Sequence, residues 1–218
     1  MFEEKLNELK KKLIEEASFA ENMVKKSIEG LIERRKEILD NVINEHEPRM
    51  NELEIKLDEL CINFIALYQP EAVDLRTVLM ILKTNNDLER IGDLAVNISE
   101  SALFLIERPL VKPLIDLPRM AEETVGMLKD TIDSFINKDA KLARLVCERD
   151  ATVDNLRDQI LRELITYMSS DPSTIERSIH LIRISRSLER IADLSTNISE
   201  DVIFMVQGKV IKHHKDKN

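Results

Sequence analysis

The sequence predicts an all-α protein: two tandem three-helix bundles, six long antiparallel helices related by internal duplication. Three observations carry this reading. Residues 88–100 (LERIGDLAVNISE) recur at 188–200 as LERIADLSTNISE, identical at ten of thirteen positions, and a repeat of this length fixes architecture before any other feature. The composition has four Gly, six Pro and no Trp, with 43% hydrophobic and 33% charged residues; sheets need more turn formers and more β-branched or aromatic runs. Apolar residues recur at i, i+3, i+4 and i+7 through most of the chain, the spacing of amphipathic helices.

Taken in order, Leu6, Leu9, Leu13, Ile14, Ala17, Ala20, Val24, Ile28 and Leu31 put a helix over residues 2–33. The pattern loses phase at Arg34–Lys36, which predicts a tight turn. A second helix spans about 37–68, kinked at Pro48, which has no amide hydrogen to donate. Gln69-Pro70 ends it, because the residue before a proline avoids helical angles. A third helix spans 71–106, roughly 50 Å at 1.5 Å per residue. Pro109, Pro113 and Pro118 then mark a linker between halves 1–109 and 110–218. The second half repeats the plan: helix 115–136, a turn at 137–139, helix 140–169. Ser169-Ser170-Asp171-Pro172 supplies a break, an N-cap and an N1 proline. A last helix spans 173–207 and stops at Gly208, followed by a frayed polar tail.

The charge balance is 32 basic against 41 acidic residues, net −9, which argues against nucleic acid as a partner. The opening MFEEKLNELKKK does not read as a leader, and no apolar run reaches the length of a membrane span. Two thiols, Cys61 and Cys147, make no disulfide framework and read as core packing. A cytoplasmic location is expected.

The repeated stretch also carries the candidate chemistry. With Glu89 at zero on a helical wheel, Asp93 falls near 40°, Asn97 near 80° and Glu100 near 20°. Ile91, Leu94, Ala95 and Ile98 lie opposite, at roughly 140–240°. Glu189, Asp193, Asn197 and Glu200 repeat the polar stripe. The preceding helix offers Asp150 and Asp154 at the same spacing; matching Leu156 and Ile160 to Leu53 and Leu57 makes Glu47 and Asn51 their first-half equivalents. Four carboxylates on adjacent helices form a hard-oxygen site suited to Fe, Mn, Mg, Ca or, less well, Zn. Without a cation they repel one another and favour protonation. The competing reading is a solvated acidic face with salt bridges to Arg90 and Arg190. The stripe is expected on a convex surface without a cleft, which disfavours a metalloenzyme using metal-bound hydroxide. His46, His180, His213 and His214 lie off the stripes, no Glu-x-x-His occurs, and no P-loop or nucleophile elbow is present. A metal-free helical adaptor is the third reading.

These residues, with QPEAVDLRTVLMILKTNNDLERIGDLAVNISE (69–100) and the second copy at 188–214, resemble the PhoU family of phosphate-regulatory proteins, over essentially the whole chain. The resemblance implies a non-enzymatic cytoplasmic accessory of the phosphate ABC transporter and a negative regulator of the phosphate-starvation response. Such a protein relays transporter state to a sensor histidine kinase and meets the membrane only through its partners. A homodimer is expected. The resemblance also implies multinuclear iron or zinc, with Mg or Mn as alternatives, at E(D)-x-x-x-D motifs. These map onto Glu89 and Asp93 with Glu47, and onto Glu189 and Asp193 with Asp150 and Asp154; Asn51, Asn97 and Asn197 are auxiliary ligands. Two departures stand out: Leu94 and Leu194 follow the motif Asp where family members often carry His, and Asn51 replaces an acid. The second site is therefore expected to be the stronger.

Overall fold

A computed structural model describes residues 2–207, and every element among them is helical. Helix α1 (Phe2–Ile32) buries Leu6, Leu9, Leu13, Ala17, Ala20, Val24, Ile28 and Leu31, the stripe its apolar spacing predicts. It ends with Arg34 in the left-handed region at φ 55°. The chain reverses into α2 (Lys36–Asn41), and the reversal is tight because Gly30 has no side chain. A Cβ there would stand 2.6 Å from Leu39 Cδ2, well inside van der Waals contact.

The kink expected at Pro48 takes a specific form. Residues Val42–His46 make a π-helical turn, closed by the Glu47 N–H on the Val42 carbonyl, and Pro48 then sits in the first turn of α3 (Glu47–Tyr68). The wider i→i+5 turn absorbs the clash between the proline ring and the preceding carbonyls. Gln69, at φ 44°, ends α3. Helix α4 (Ala72–Ile106) carries the first copy of the repeated stretch. Beyond the linker, α5 (Asp116–Asn137) ends at left-handed Lys138, and α6 (Ala140–Ser170) starts from Asp139, whose carboxylate accepts the Lys141 and Leu142 amides at 2.9 and 3.1 Å. The last helix is split: Asp171 caps a 3-10 turn, Pro172–Thr174, before α7 (Ile175–Gln207) with the second copy. The expected stop at Gly208 and the polar tail lie outside the described residues.

Arg34, just past the end of α1, donates to the carbonyls of Ile106, the last residue of α4, and Arg108 beyond it, so these helices run parallel with α3 antiparallel to both. Helices α5 and α7 also run parallel: Thr124 bonds the Leu188 carbonyl and Thr131 the Ser195 carbonyl. Helices α4 and α7 are antiparallel, since Lys83 pairs with Asp201 and Phe104 stacks on His180 at 4.0 Å. Helices α1, α4, α7 and α5 thus close a ring, with α3 packed outside α1 and α4, and α6 outside α5 and α7. The two bundles lie side by side, and one hydrophobic core runs through both.

Candidate functional site

The wheel separates the repeated stretch as expected. Ile91, Leu94, Ala95 and Ile98 are buried, while Asp93, Asn97 and Glu100 are exposed. In the second copy Asp193 and Asn197 are exposed, and Glu189 is half-buried like Glu89. The stripes are not on a convex surface, however. Because α4 and α7 cross antiparallel at the repeated stretches, Arg90, Asp93, Leu94 and Asn97 face Arg190, Asp193, Leu194 and Asn197 across one groove of about 450 Å³. Helix-by-helix reading of the sequence could not see this, since a wheel describes one helix and the groove is made by two.

In the second half the predicted acids gather. Asp193 is pushed up to about 6, first by desolvation and then by Glu189, Asp150 and Asp154, with Arg157 opposing. Glu189 belongs to α7 and the two aspartates to α6, so charges from two helices bear on Asp193. Arg157, which the sequence reading passed over, ties Glu189 to Asp154: Nη1 donates to Glu189 Oε1 at 2.6 Å and lies 3.1 Å from Asp154 Oδ1, and Nη2 reaches Asp158 at 2.9 Å. Its i+3 spacing from Asp154 was the available signal. The competing reading put Arg90 and Arg190 in salt bridges beside the motif acids; Arg90 reaches Asp87 at 3.5 Å, and the salt bridge to Glu189 comes from Arg157. Cys147 is half-buried and packs against the core, and desolvation first, then Glu200 and Asp150, push its thiol to about 11. Cys61 is fully buried as expected.

The first half differs. Desolvation raises Glu89, followed by Asp93 and Glu54, with Arg90 opposing; Glu54, and not Glu47, is the α3 acid that bears on it. Glu54 stands where the second half has Arg157 in the 103-residue register. Asn51 and Glu47 are half-buried on the first turns of α3. A further acid comes from α1. Glu16 is 1% exposed, neither of its carboxyl oxygens has a hydrogen-bond partner, and it is pushed up to about 9 by desolvation and by Glu54, Asp58 and Glu89. Its seven-residue spacing from Leu9 and from Met23 places it on the buried stripe. Asp58 is anchored by Asn85, whose amide donates at 2.8 Å and also reaches the Glu54 carbonyl at 3.0 Å. The small difference between the copies has a packing cause: a Cβ on Gly92 would lie 2.9 Å from Met50 Cγ, whereas the second copy has Ala192 and carries the smaller Val153 in the Met50 register.

As the side chains stand, no three His, Cys, Asp or Glu groups among the described residues converge as a ready metal cage. What the second half offers is four carboxylates with oxygen donors for a hard cation, two of them bridged by an arginine. His180 and His46 lie apart, stacked on Phe104 and tilted against Phe19; His213 and His214 lie outside the described residues. No helix is long and apolar enough to cross a membrane among the described residues.

Fold and site together define a class: a duplicated, six-helix, all-α scaffold whose two copies of one acidic motif meet at a shared groove. The PhoU domain matches twice, at residues 13–102 and 117–202, and the chain belongs to that family. A protein of Aquifex aeolicus named a phosphate-specific transport system accessory protein PhoU homolog is 41% identical over 97% of this chain and 96% of its own length. A Thermotoga maritima homolog of the same name, numbered 2, is 33% identical over the whole chain and 92% of its own length. The crystal structure of PhoU from Pseudomonas aeruginosa superposes with a TM-score of 0.91 at 34% identity, covering 96% of this chain and all of that one.

Proposed function

We propose that this protein is a cytoplasmic accessory of a phosphate ABC transporter that restrains phosphate uptake and the phosphate-starvation response through a sensor histidine kinase, without turning over a substrate. The observation that carries the reading is similarity to accessory proteins of phosphate-specific transport systems over 97% of the chain, with the site built on the same duplicated scaffold. Deleting the gene is expected to switch on a phosphate-starvation reporter in phosphate-rich medium; an unchanged reporter would overturn the regulatory role.

The acidic clusters add a metal to this reading. Asp150, Asp154, Glu189 and Asp193 supply oxygens for iron or zinc, or for Mg or Mn. A bound cation would relieve the repulsion that raises Asp193, and it would take over the neutralising role of Arg157. In the first half Glu89 and Asp93, with Glu47 and Glu54, form the weaker counterpart. Asn51, Asn97 and Asn197 are outer donors. Asp193→Ala is expected to lower bound metal, measured by elemental analysis of protein purified without chelator, more than Asp93→Ala does. Equal losses, or no metal in the parent, would count against the site.

A further inference from the structure

The first bundle has a polar layer that the second lacks. Met23 of α1 and Met50 of α3 both close on Gly92 of α4. Seven residues from that contact, about two helical turns, α1 brings Glu16 and the parallel α4 brings Asn85 to one level. Helix α3, running the other way, brings Leu57 and Asp58 there. Asn85 bears this out: its amide nitrogen donates to Asp58 at 2.8 Å and to the Glu54 carbonyl at 3.0 Å. Those two bonds fix which way the amide points. They leave Asn85 Oδ1, like both carboxyl oxygens of Glu16, buried with no hydrogen-bond partner. The two residues are 0% and 1% exposed. Buried polar atoms are as a rule paired, yet here three acceptor oxygens in one layer lack a donor. Toward solvent the layer continues in Glu54, Asp58 and Glu89, which are half-buried.

The duplication supplies a control. In the register that matches Leu117 to Leu13, the starts of the two matched domains, Glu16 corresponds to the buried Met120. Leu161 stands for Asp58 and Arg157 for Glu54. Ser185 stands for Asn85, and its hydroxyl donates to the Ile182 carbonyl at 2.9 Å. The same scaffold thus packs with this layer apolar or satisfied, so packing alone does not call for a carboxyl at residue 16. We propose that the first bundle binds a hard divalent cation in this layer, with Glu16 and Asn85 Oδ1 as inner ligands and Asp58 and Glu54 completing the shell from α3. Carboxylate and amide oxygens are the donors such ions take. Desolvation first, then Glu54, Asp58 and Glu89, hold the Glu16 carboxyl high, so three charges bear on one acid, and a cation reverses their effect. Asp58 is turned to the Asn85 amide and the side chains as they stand form no ready cage; the set closes when Asp58 and Glu54 swing to the ion. The site shares Glu54 and Glu89 with the weaker motif reading of this half. Glu16, Asn85 and Asp58 set it apart.

The test titrates Mn²⁺ into the full chain carrying Asp150→Ala and Asp193→Ala, which disable the second-half acids, and follows the free ion by electron paramagnetic resonance. One saturable site per chain is expected. Adding Glu16→Met, the side chain that α5 carries at the matching position, should weaken it by roughly tenfold or more. The nearly isosteric Glu16→Gln should do the same, while Asp93→Ala should leave the affinity within about twofold. Mn²⁺ should also raise the urea midpoint of the background chain and not that of either Glu16 variant. Their midpoints in chelator should be no lower than the background's, which separates lost binding from lost folding. If both Glu16 variants bind Mn²⁺ as the background does, Glu16 holds a proton and no ion, and the proposal fails. A loss on Asp93→Ala as large as that on Glu16→Gln places the ion at the motif pair and overturns it. Binding by the chain with its second-half acids intact, but none by the background, overturns this inference and leaves the second-half site standing; no binding by either overturns both.

Discussion

Arg157 decides how the acidic cluster of the second half behaves without metal. One guanidinium offsets Glu189, Asp154 and Asp158, and such charge-assisted bonds are worth more than ordinary ones, though partial exposure holds the net to about 1 kcal/mol. Arg157→Gln should therefore lower the urea midpoint in chelator and enlarge the stabilisation that added divalent metal provides; an unchanged metal-induced shift would show that arginine and cation do not share the acids. Glu16 is the opposite case, a carboxyl buried without a donor. Its folded-state value of about 9 lies above the value of an unfolded glutamate, near 4.3. The native state therefore keeps a proton that the unfolded chain releases, and stability falls as pH rises through that window. The stability of Glu16→Gln relative to the parent should grow by up to about 1.4 kcal/mol per pH unit between roughly pH 5 and 8, read from urea unfolding at several pH values. A constant difference would mean that Glu16 is ionised in the folded protein. The motif acids were legible because they repeat in register. Arg157 offered only its i+3 spacing from Asp154, since Glu54 stands in its place in the other half, and Glu16 was not legible because it is a polar residue on an apolar stripe.

At the scale of elements, periodicity carried most of the information. The boundaries of α4, α5 and α6 follow from proline, from the loss of apolar phase and from capping residues. Asp139 is one whose role can be measured. Its carboxylate satisfies two amides at the start of α6, and Asp139→Ala should cost about 1 kcal/mol, seen as a lowered denaturant midpoint with an unchanged slope. Asp139→Asn should retain most of that stability; a loss as large as alanine's would assign the effect to charge at the helix terminus instead of the cap. Pro48 was legible as a disturbance and not as a π turn, because sequence shows that a backbone bond is missing but not how neighbouring carbonyls are reassigned. The 3-10 start before α7 is of the same kind: Asp171-Pro172 announces an N-terminus, and the pitch of the first turn depends on packing.

At the scale of the whole molecule, duplication was plain from the sequence and the joining of the halves was not. Two bundles in tandem could have been independent units on a proline linker. Instead α4 meets α7 and α1 meets α5, burying Val24, Ile28, Ala121 and Val125 near the second of these junctions. The contacts that fix this arrangement, Lys83 with Asp201 and Phe104 with His180, join residues far apart in the chain that no local pattern relates. The linker packs as well: Leu110, Val111 and Leu114 line a small cleft with Leu31, Leu105 and Leu181 from both halves. A core continuous across the junction makes each half a partner that the other cannot lose without exposing apolar surface. Calorimetry of the full chain should therefore show one unfolding transition with equal calorimetric and van't Hoff enthalpies. Placing a charge at the junction, as in Val125→Asp, should lower that transition while keeping it single, because the penalty of a buried unpaired charge falls on one cooperative unit. Two resolved transitions in the parent, or a variant in which only part of the helical signal melts early, would show that the duplicated halves fold as separate domains.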